Sequence, residues 1–241
     1  MNLLAFDTST EAMSLAVQRT DVGVAGAGPS VQCWLHSGPG GALTSTLLIP
    51  AIQKLMAQAG LQFSQLDAIV FGCGPGSFTG LRTACAVAQG LAFGAGIKVL
   101  PVDTLLAVAE EARWQQAREL PRFSALALLD ARMDELYAGY YSFDSNKWSK
   151  IVRSSLIRPE DLPNVPACTL AGKVFEVYGA RLNPAFAQRI EALPTASALL
   201  RLAPGLLAAG GAVAPDQALP LYIRDKVAKT TLERAAEKAA I

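Results

Sequence analysis

The sequence predicts a two-lobed α/β protein built from a duplicated strand–hairpin–helix unit. Three observations carry that expectation. Residues Asp67 to Gly96 read as a buried strand, a glycine-rich turn and a helix that is apolar on every side. LALLDARMDELYAGY (Leu126 to Tyr140) lays over LLAFDTSTEAMSLAV (Leu3 to Val17): each has a four-residue apolar run, an Asp, a polar turn and a second alternating strand. Asp7 falls on Asp130 in that alignment. The chain has 241 residues and is 51% hydrophobic, which suits one large domain or two small ones with sizeable cores.

The elements follow in order. Leu3 to Asp7 and Met13 to Val17 flank the turn formers Thr8 to Glu11 and predict a hairpin. Val31 to His36 predicts a third strand, and Ser37 to Gly41 a loop. Leu43 to Ala59 predicts a helix, with Leu48, Ile52, Leu55, Met56 and Ala59 at helical spacing. Pro50 lies inside it and predicts a kink or a later start. The strand closing on Val70 and Phe71 runs into Gly72, Gly74 and Gly76, and Ser77 or Thr79 is placed to cap a helix beginning near Gly80. Ile97 to Val102 predicts a strand and Thr104 to Gln116 a helix, with Pro121 as a boundary marker. After the repeated hairpin, Ile151 to Ile157 continues a second sheet, and Pro159, Pro163 and Pro166 mark loops. Ala171 to Tyr178 and Ala196 to Ala209 predict helices. From Lys226 onward the chain is rich in Ala and Lys, consistent with a frayed helix or a tail. The expected lobes are 1–101 and 102–241.

Composition excludes several classes. The net charge of +1 favours no long polyanion over other partners. The N-terminus has no basic region, Asp7 interrupts its first apolar run, and no stretch approaches twenty apolar residues free of charges and turn formers. Neither a secretory signal nor a membrane span is expected. Cys33, Cys73, Cys85 and Cys168 show no C-x-x-C spacing and read as reduced, structural and cytoplasmic. His36 is the single histidine, which argues against a histidine-based zinc site or a Ser-His-Asp triad. It ends a strand-like run and reads as a satisfied or surface residue.

The glycine turn allows two readings. A glycine-rich turn opening a helix can cradle an anion, with Asp7, Thr8, Gly74, Gly76, Ser77 and Thr79 as the contacts. It can equally let a helix pack closely on a sheet. The P-loop Lys is absent, and Ser77 stands where the last glycine of G-x-G-x-x-G would be.

GPGSFTGLR (Gly74 to Arg82) resembles the signature of the bacterial TsaB family, also called YeaZ. FDTSTEAMSLA (Phe6 to Ala16), DARMDELY (Asp130 to Tyr137) and PLYIR (Pro220 to Arg224) agree with it and lie in the family's order. The resemblance implies an actin/hexokinase-like (ribonuclease-H-like) fold. It implies a non-catalytic role in threonylcarbamoylation of the tRNA adenosine next to the anticodon. The implied partners are a TsaD-like catalytic paralogue, a TsaE-like ATPase and, through the complex, tRNA. It implies no cofactor in this chain itself, with ATP or ADP and a divalent metal in the complex. The family-motif residues carried over are Asp130, Arg132, Glu135, Tyr137, Tyr222 and Arg224. The H-x-x-x-H metal pair of the TsaD family cannot exist in a chain with one histidine. A second-lobe adenosine loop is matched only superficially by AAGGAV (Ala208 to Val213), which reads more simply as a helix C-cap and turn. The competing function is a stand-alone phosphotransferase or peptidase.

Four readings remain. Asp7 can serve a divalent cation and phosphate, or it can satisfy the amides of its own turn. Asp130 and Arg132 can form an internal ion pair or meet a partner. Glu135 and Tyr137 should face away from Leu136. Finally, Lys54 is the only charged residue between Asp21 and Asp67, and Arg82 is alone on its helix up to Lys98. Water-facing helices usually carry more charge, so these two helices predict a covered face, with Leu47, Lys54, Ala57, Arg82 and Ala88 as interface residues. A homodimer of the isolated chain would use the same face.

Overall fold

The computed structural model describes residues 1–21, 28, 30–163, 165, 168–183, 186 and 188–224. The expectation for the segment from Lys226 onward lies outside the described residues, as does that for Pro166.

A first sheet contains β1 (Leu3–Asp7), β2 (Ala12–Asp21), β3 (Ser30–Pro39), β4 (Ala68–Gly74) and β5 (Lys98–Asp103), in the order β3-β2-β1-β4-β5. A second contains β6 (Arg122–Arg132), β7 (Glu135–Asp144), β8 (Lys147–Ile157), β9 (Thr169–Ala171) and β10 (Arg189–Ile190), in the order β10-β9-β6-β7-β8. Read from the other edge, the second order is the first repeated. The senses repeat as well: β1–β2 and β6–β7 are antiparallel, β1–β4 and β6–β9 parallel. The fold is the two-lobed α/β fold expected from the duplicated hairpin, of the actin/hexokinase-like class that the resemblance implies.

The helices are α1 (Thr44–Ala59), α2 (Phe78–Ala95), α3 (Thr104–Gln116), the single turn α4 (Phe175–Tyr178) and α5 (Ala196–Ala208). Strand β1 is apolar from Leu3 to Phe6 without alternation because both its faces are buried. Leu4 and Phe6 enter the core beneath α1 and α2, with Ile52, Ile69, Phe71 and Ala84. Leu3 and Ala5 point the other way, into a core shared with Leu199 and Ala203 of α5. Thus α5, from the C-terminal half, covers the first sheet, while α3 packs on β6 and β7 of the second. This crossing ties the lobes together.

Two polar clusters reinforce the crossing. Glu110 on α3 is 2% exposed and accepts from Arg113 Nε (3.0 Å), Arg201 Nε (2.8 Å) and Trp148 Nε1 (2.9 Å). Asp103 caps α3 through Leu105 N (3.0 Å), accepts from Tyr141 Oη (2.8 Å) and pairs with Lys150 on β8.

Three local expectations change. Helix α1 starts at Thr44 and runs through Pro50, which sits on the exposed side, so no later start occurs. Ala171 to Tyr178 is not one helix. Ala171 ends β9, and only Phe175–Tyr178 is helical. The short apolar run there is a strand buried on both sides, which periodicity alone does not separate from a helix. Helix α2 begins at Phe78 rather than near Gly80, with Ser77 at the N-cap position but making no side-chain cap bond. Thr79 lies inside the helix, and its carbonyl accepts from Thr83 Oγ1 (2.9 Å). The AAGGAV segment is a helix end, as read. Gly210 has φ 79°, and Gly211 N donates back to Leu206 O (2.9 Å). Among the described residues, no helix is long and apolar enough to cross a membrane.

Candidate functional site

The glycine turn sits where β4 delivers the chain to α2, directly above the β1–β2 hairpin turn. Gly74 has φ 123°, a conformation that residues with a Cβ rarely adopt. Its N–H donates to Thr104 Oγ1 (3.0 Å). A Cβ at Gly76 would lie 2.6 Å from Ser9 Cβ and from Ser9 O. Ser9 O also accepts from Ser77 N (2.8 Å), and Thr8 Oγ1 donates to Gly80 O (2.8 Å). The hairpin turn is therefore seated on the glycine turn and the first turn of α2, so closely that neither Gly76 nor Gly80 has room for a Cβ.

Asp7 is fully buried below this junction. Its Oδ1 accepts from Ser9 N (2.9 Å) and Ser9 Oγ (2.7 Å). Its Oδ2 has no hydrogen-bond partner among the described residues and faces the open side of Gly72, where a Cβ would lie 1.8 Å away. Burial pushes the carboxyl up from 3.8 to about 6, against the opposing effect of the two Ser9 bonds. Asp7 thus satisfies the amide and hydroxyl of Ser9 in its own turn, and the side of the glycine turn facing the hairpin is already filled by Thr8, Ser9 and, at Gly74, by Leu221. That side leaves no room for a phosphate, while Ser9, Gly76 and Ser77 also border an open cleft. Among the described residues, no group of three or more His, Cys, Asp or Glu side chains is arranged to hold a metal ion.

The repeat places Asp130 in the equivalent turn. There its Oδ1 accepts from Arg132 N (2.8 Å), as Asp7 Oδ1 does from Ser9 N, and also from Tyr178 Oη (3.0 Å). Arg132 pairs with Glu11 of the first hairpin turn, so the two duplicated turns meet across a cleft of about 760 Å³. The cleft is lined by residues 9–12, 130–133 and 221–224, with Phe78, Phe175 and Tyr137 on its walls. Leu136 faces the outer core of the second sheet and Tyr137 the inner one, the alternation expected on a strand. Glu135 pairs with Arg224 (2.7 Å), and Tyr222 Oη accepts from Arg82 Nε (2.9 Å). Asp130, Arg132, Tyr137, Tyr222 and Arg224, distant in sequence, thus line one cleft, and Glu135 stands beside it on Arg224.

The two low-charge helices lie side by side over the first sheet. Leu47, Lys54 and Ala57 on α1 and Arg82 on α2 are exposed. Ala88 is not: it is fully buried against the sheet with Ala84 and Ala92, so it belongs to the core and not to a surface. The outward side of α2 is carried instead by Ala86, Gly90 and Phe93, the last 81% exposed. On α1 and just before it, Leu43, Leu47 and Ile49 are exposed apolar residues. Arg82 stacks on Phe78, its guanidinium carbon 3.7 Å from the ring centroid. Sequence reasoning missed the Glu110–Arg201–Trp148 cluster. Its members lie far apart in the chain, and no local pattern joins them.

The chain matches the family described as "TsaD: tRNA N6-adenosine threonylcarbamoyltransferase" over residues 43–232. It is 30% identical over 243 residues to the tRNA threonylcarbamoyladenosine biosynthesis protein TsaB of Haemophilus influenzae, covering 94% of this chain and 95% of that protein. It is 31% identical over 238 residues to the protein of that name from Escherichia coli, covering 95% and 96%. The structure of YeaZ from Pseudomonas aeruginosa is similar with a TM-score of 0.76 at 36% identity, covering 92% of this chain and 99% of that one. With four motifs in order, a repeated two-lobed fold and end-to-end likeness to these proteins, the chain belongs to the TsaB (YeaZ) family.

Proposed function

We propose that this protein is a non-catalytic subunit in the threonylcarbamoylation of the tRNA adenosine next to the anticodon. It would act in the cytoplasm as the partner of a TsaD-like catalytic paralogue, joined by a TsaE-like ATPase. The observation that carries the reading is the α1–α2 face. Two adjacent helices, with Leu43 just before the first, offer Leu47, Ile49 and Phe93 to solvent, and Lys54 and Arg82 are their only charges. Such a face costs solvation while it stays open and suits a mostly apolar interface with a second protein. Ala57, Ala86 and Gly90 are exposed on the same two helices and are small enough for a partner helix to approach closely.

The chemistry of the site supports the non-catalytic role. Asp7 is turned into its own hairpin, and one histidine cannot supply a metal pair. ATP or ADP, the divalent metal and tRNA then engage the complex, the metal and the transfer step belonging to the paralogue. Helix faces of this kind also serve self-association, and in isolation the chain is expected to dimerise weakly through the surface its partner takes. The test is co-purification of the tagged chain from its native cells. A second actin-like protein should be recovered with wild type and lost with Ala57→Asp. Equal recovery with both, or recovery of no such protein, contradicts the reading.

A further inference from the structure

The C-terminal described segment, residues 218–224, has a role that neither the fold nor the partner face requires. It leaves the first lobe alongside α2, where Ala218 O accepts from Gln89 Nε2 (2.9 Å) and from Cys85 Sγ (3.4 Å). Leu221 N then donates to Cys73 O (2.7 Å) at the end of β4. Tyr222 packs on Phe78, with ring centroids 5.4 Å apart, and accepts the hydrogen bond of Arg82. From the next residue the segment is in the other lobe. Ile223 packs against the core of the second sheet, and Arg224 donates to Ala131 O (3.1 Å), Arg132 O (3.3 Å) and Glu135 (2.7 Å).

The Arg224 end grips an unusual turn. Arg132, the last residue of β6, and Met133 and Asp134, which lead into β7, have φ of 62°, 54° and 63°. Three successive non-glycine residues in the left-handed region are costly and persist only where surroundings hold them. The Arg224 guanidinium, 14% exposed, satisfies two carbonyls of that turn and the carboxylate that follows it. The turn in turn carries Arg132, which pairs with Glu11 across the cleft. All four residues from Leu221 to Arg224 line the cleft between the two anchors.

We infer that residues 218–224 form a clasp that couples the β6–β7 turn of the second sheet to the first turn of α2 across the cleft. Whatever enters the cleft meets the clasp, and a disturbance at either anchor reaches the other. Coupling of this kind is reciprocal, so it is tested from both ends. The measurement is amide hydrogen exchange by mass spectrometry on the full chain. Arg224→Ala should speed exchange by about tenfold not only at residues 131–135 but also at residues 78–82 of α2, with β1 and β4 unchanged. Tyr222→Phe, which keeps the ring and removes the acceptor for Arg82, should speed exchange at 78–82 and also at 131–135. Arg224→Lys, which keeps charge but not the fork, should lie between wild type and Arg224→Ala. If each variant loosens only its own anchor, the segment is two independent caps and the clasp is refuted. Exchange raised uniformly over the chain in both Arg224→Ala and Tyr222→Phe would refute it equally.

Discussion

Asp7→Asn tests the electrostatics of the hairpin junction. The wild-type carboxyl titrates at about 6 in the folded chain against 3.8 when solvated, because burial disfavours its charged form more than the Ser9 bonds favour it. Between those two values the folded state holds a proton that the unfolded state has released. Folding stability is therefore greatest, in this respect, below pH 4 and is lost as pH rises through 6. At roughly 1.36 kcal/mol for each tenfold change in proton affinity, the loss amounts to about 3 kcal/mol. The neighbouring Cys73 thiol, pushed up to about 12 mainly by burial, stays neutral throughout this window and does not compete. Asparagine keeps an oxygen for Ser9 N and Oγ but cannot ionise; its amide N–H, set against Gly72 without an acceptor, adds a cost that does not vary with pH. Urea unfolding of both proteins between pH 4 and pH 7.5 isolates the difference. Wild type should lose about 2–2.5 kcal/mol relative to Asp7→Asn across that range, most of it between pH 4 and 6. Parallel stability curves would refute the assignment of Asp7 as a buried carboxyl held against its own charge.

Other substitutions separate the packing roles. Gly76→Val drives a side chain into Ser9 and should cost about 1–3 kcal/mol or more, measured as a lower melting temperature. Inorganic phosphate or ATP should shift neither wild type nor the variant, and a shift in wild type alone would restore the turn as an anion cradle. Ala88→Asp buries an unpaired charge and should cost several kcal/mol of stability, whereas Ala57→Asp should stay within about 0.5 kcal/mol of wild type and act only on partner affinity. Glu110→Ala strips the acceptor from Arg113, Arg201 and Trp148, and calorimetry should register a loss of about 3–5 kcal/mol.

The repeat was legible because it is local. An apolar run, an Asp and an alternating strand recur at Leu3 and Leu126, and the Asp makes the same hydrogen bond two residues ahead in each. The glycine turn was legible as a turn, but its occupant was not. That Ser9 and Leu221 fill it depends on chain segments that meet only in the folded state. Charge deficit pointed to α1 and α2, yet charge says nothing about which side of a helix faces the sheet, and Ala88 was therefore assigned outward wrongly. Helical spacing with Ala84 and Ala92 was the signal that would have corrected it. The PLYIR stretch was recognisable only as a motif. Its work as a crossing between lobes rests on Arg82, Cys73, Ala131 and Glu135, which no window of sequence contains.

The central claim is that this chain contributes structure rather than chemistry to tRNA modification. Reconstitution by omission tests it most directly, with a TsaD-like protein, the ATPase, the enzyme forming threonylcarbamoyl-adenylate, tRNA and this chain, and with modified adenosine counted by mass spectrometry. Modified tRNA is expected from the full set, none when either this chain or the TsaD-like protein is left out, and no ATP hydrolysis or tRNA modification by this chain alone. Modification at full rate without this chain, or turnover by the purified chain on its own, would contradict it.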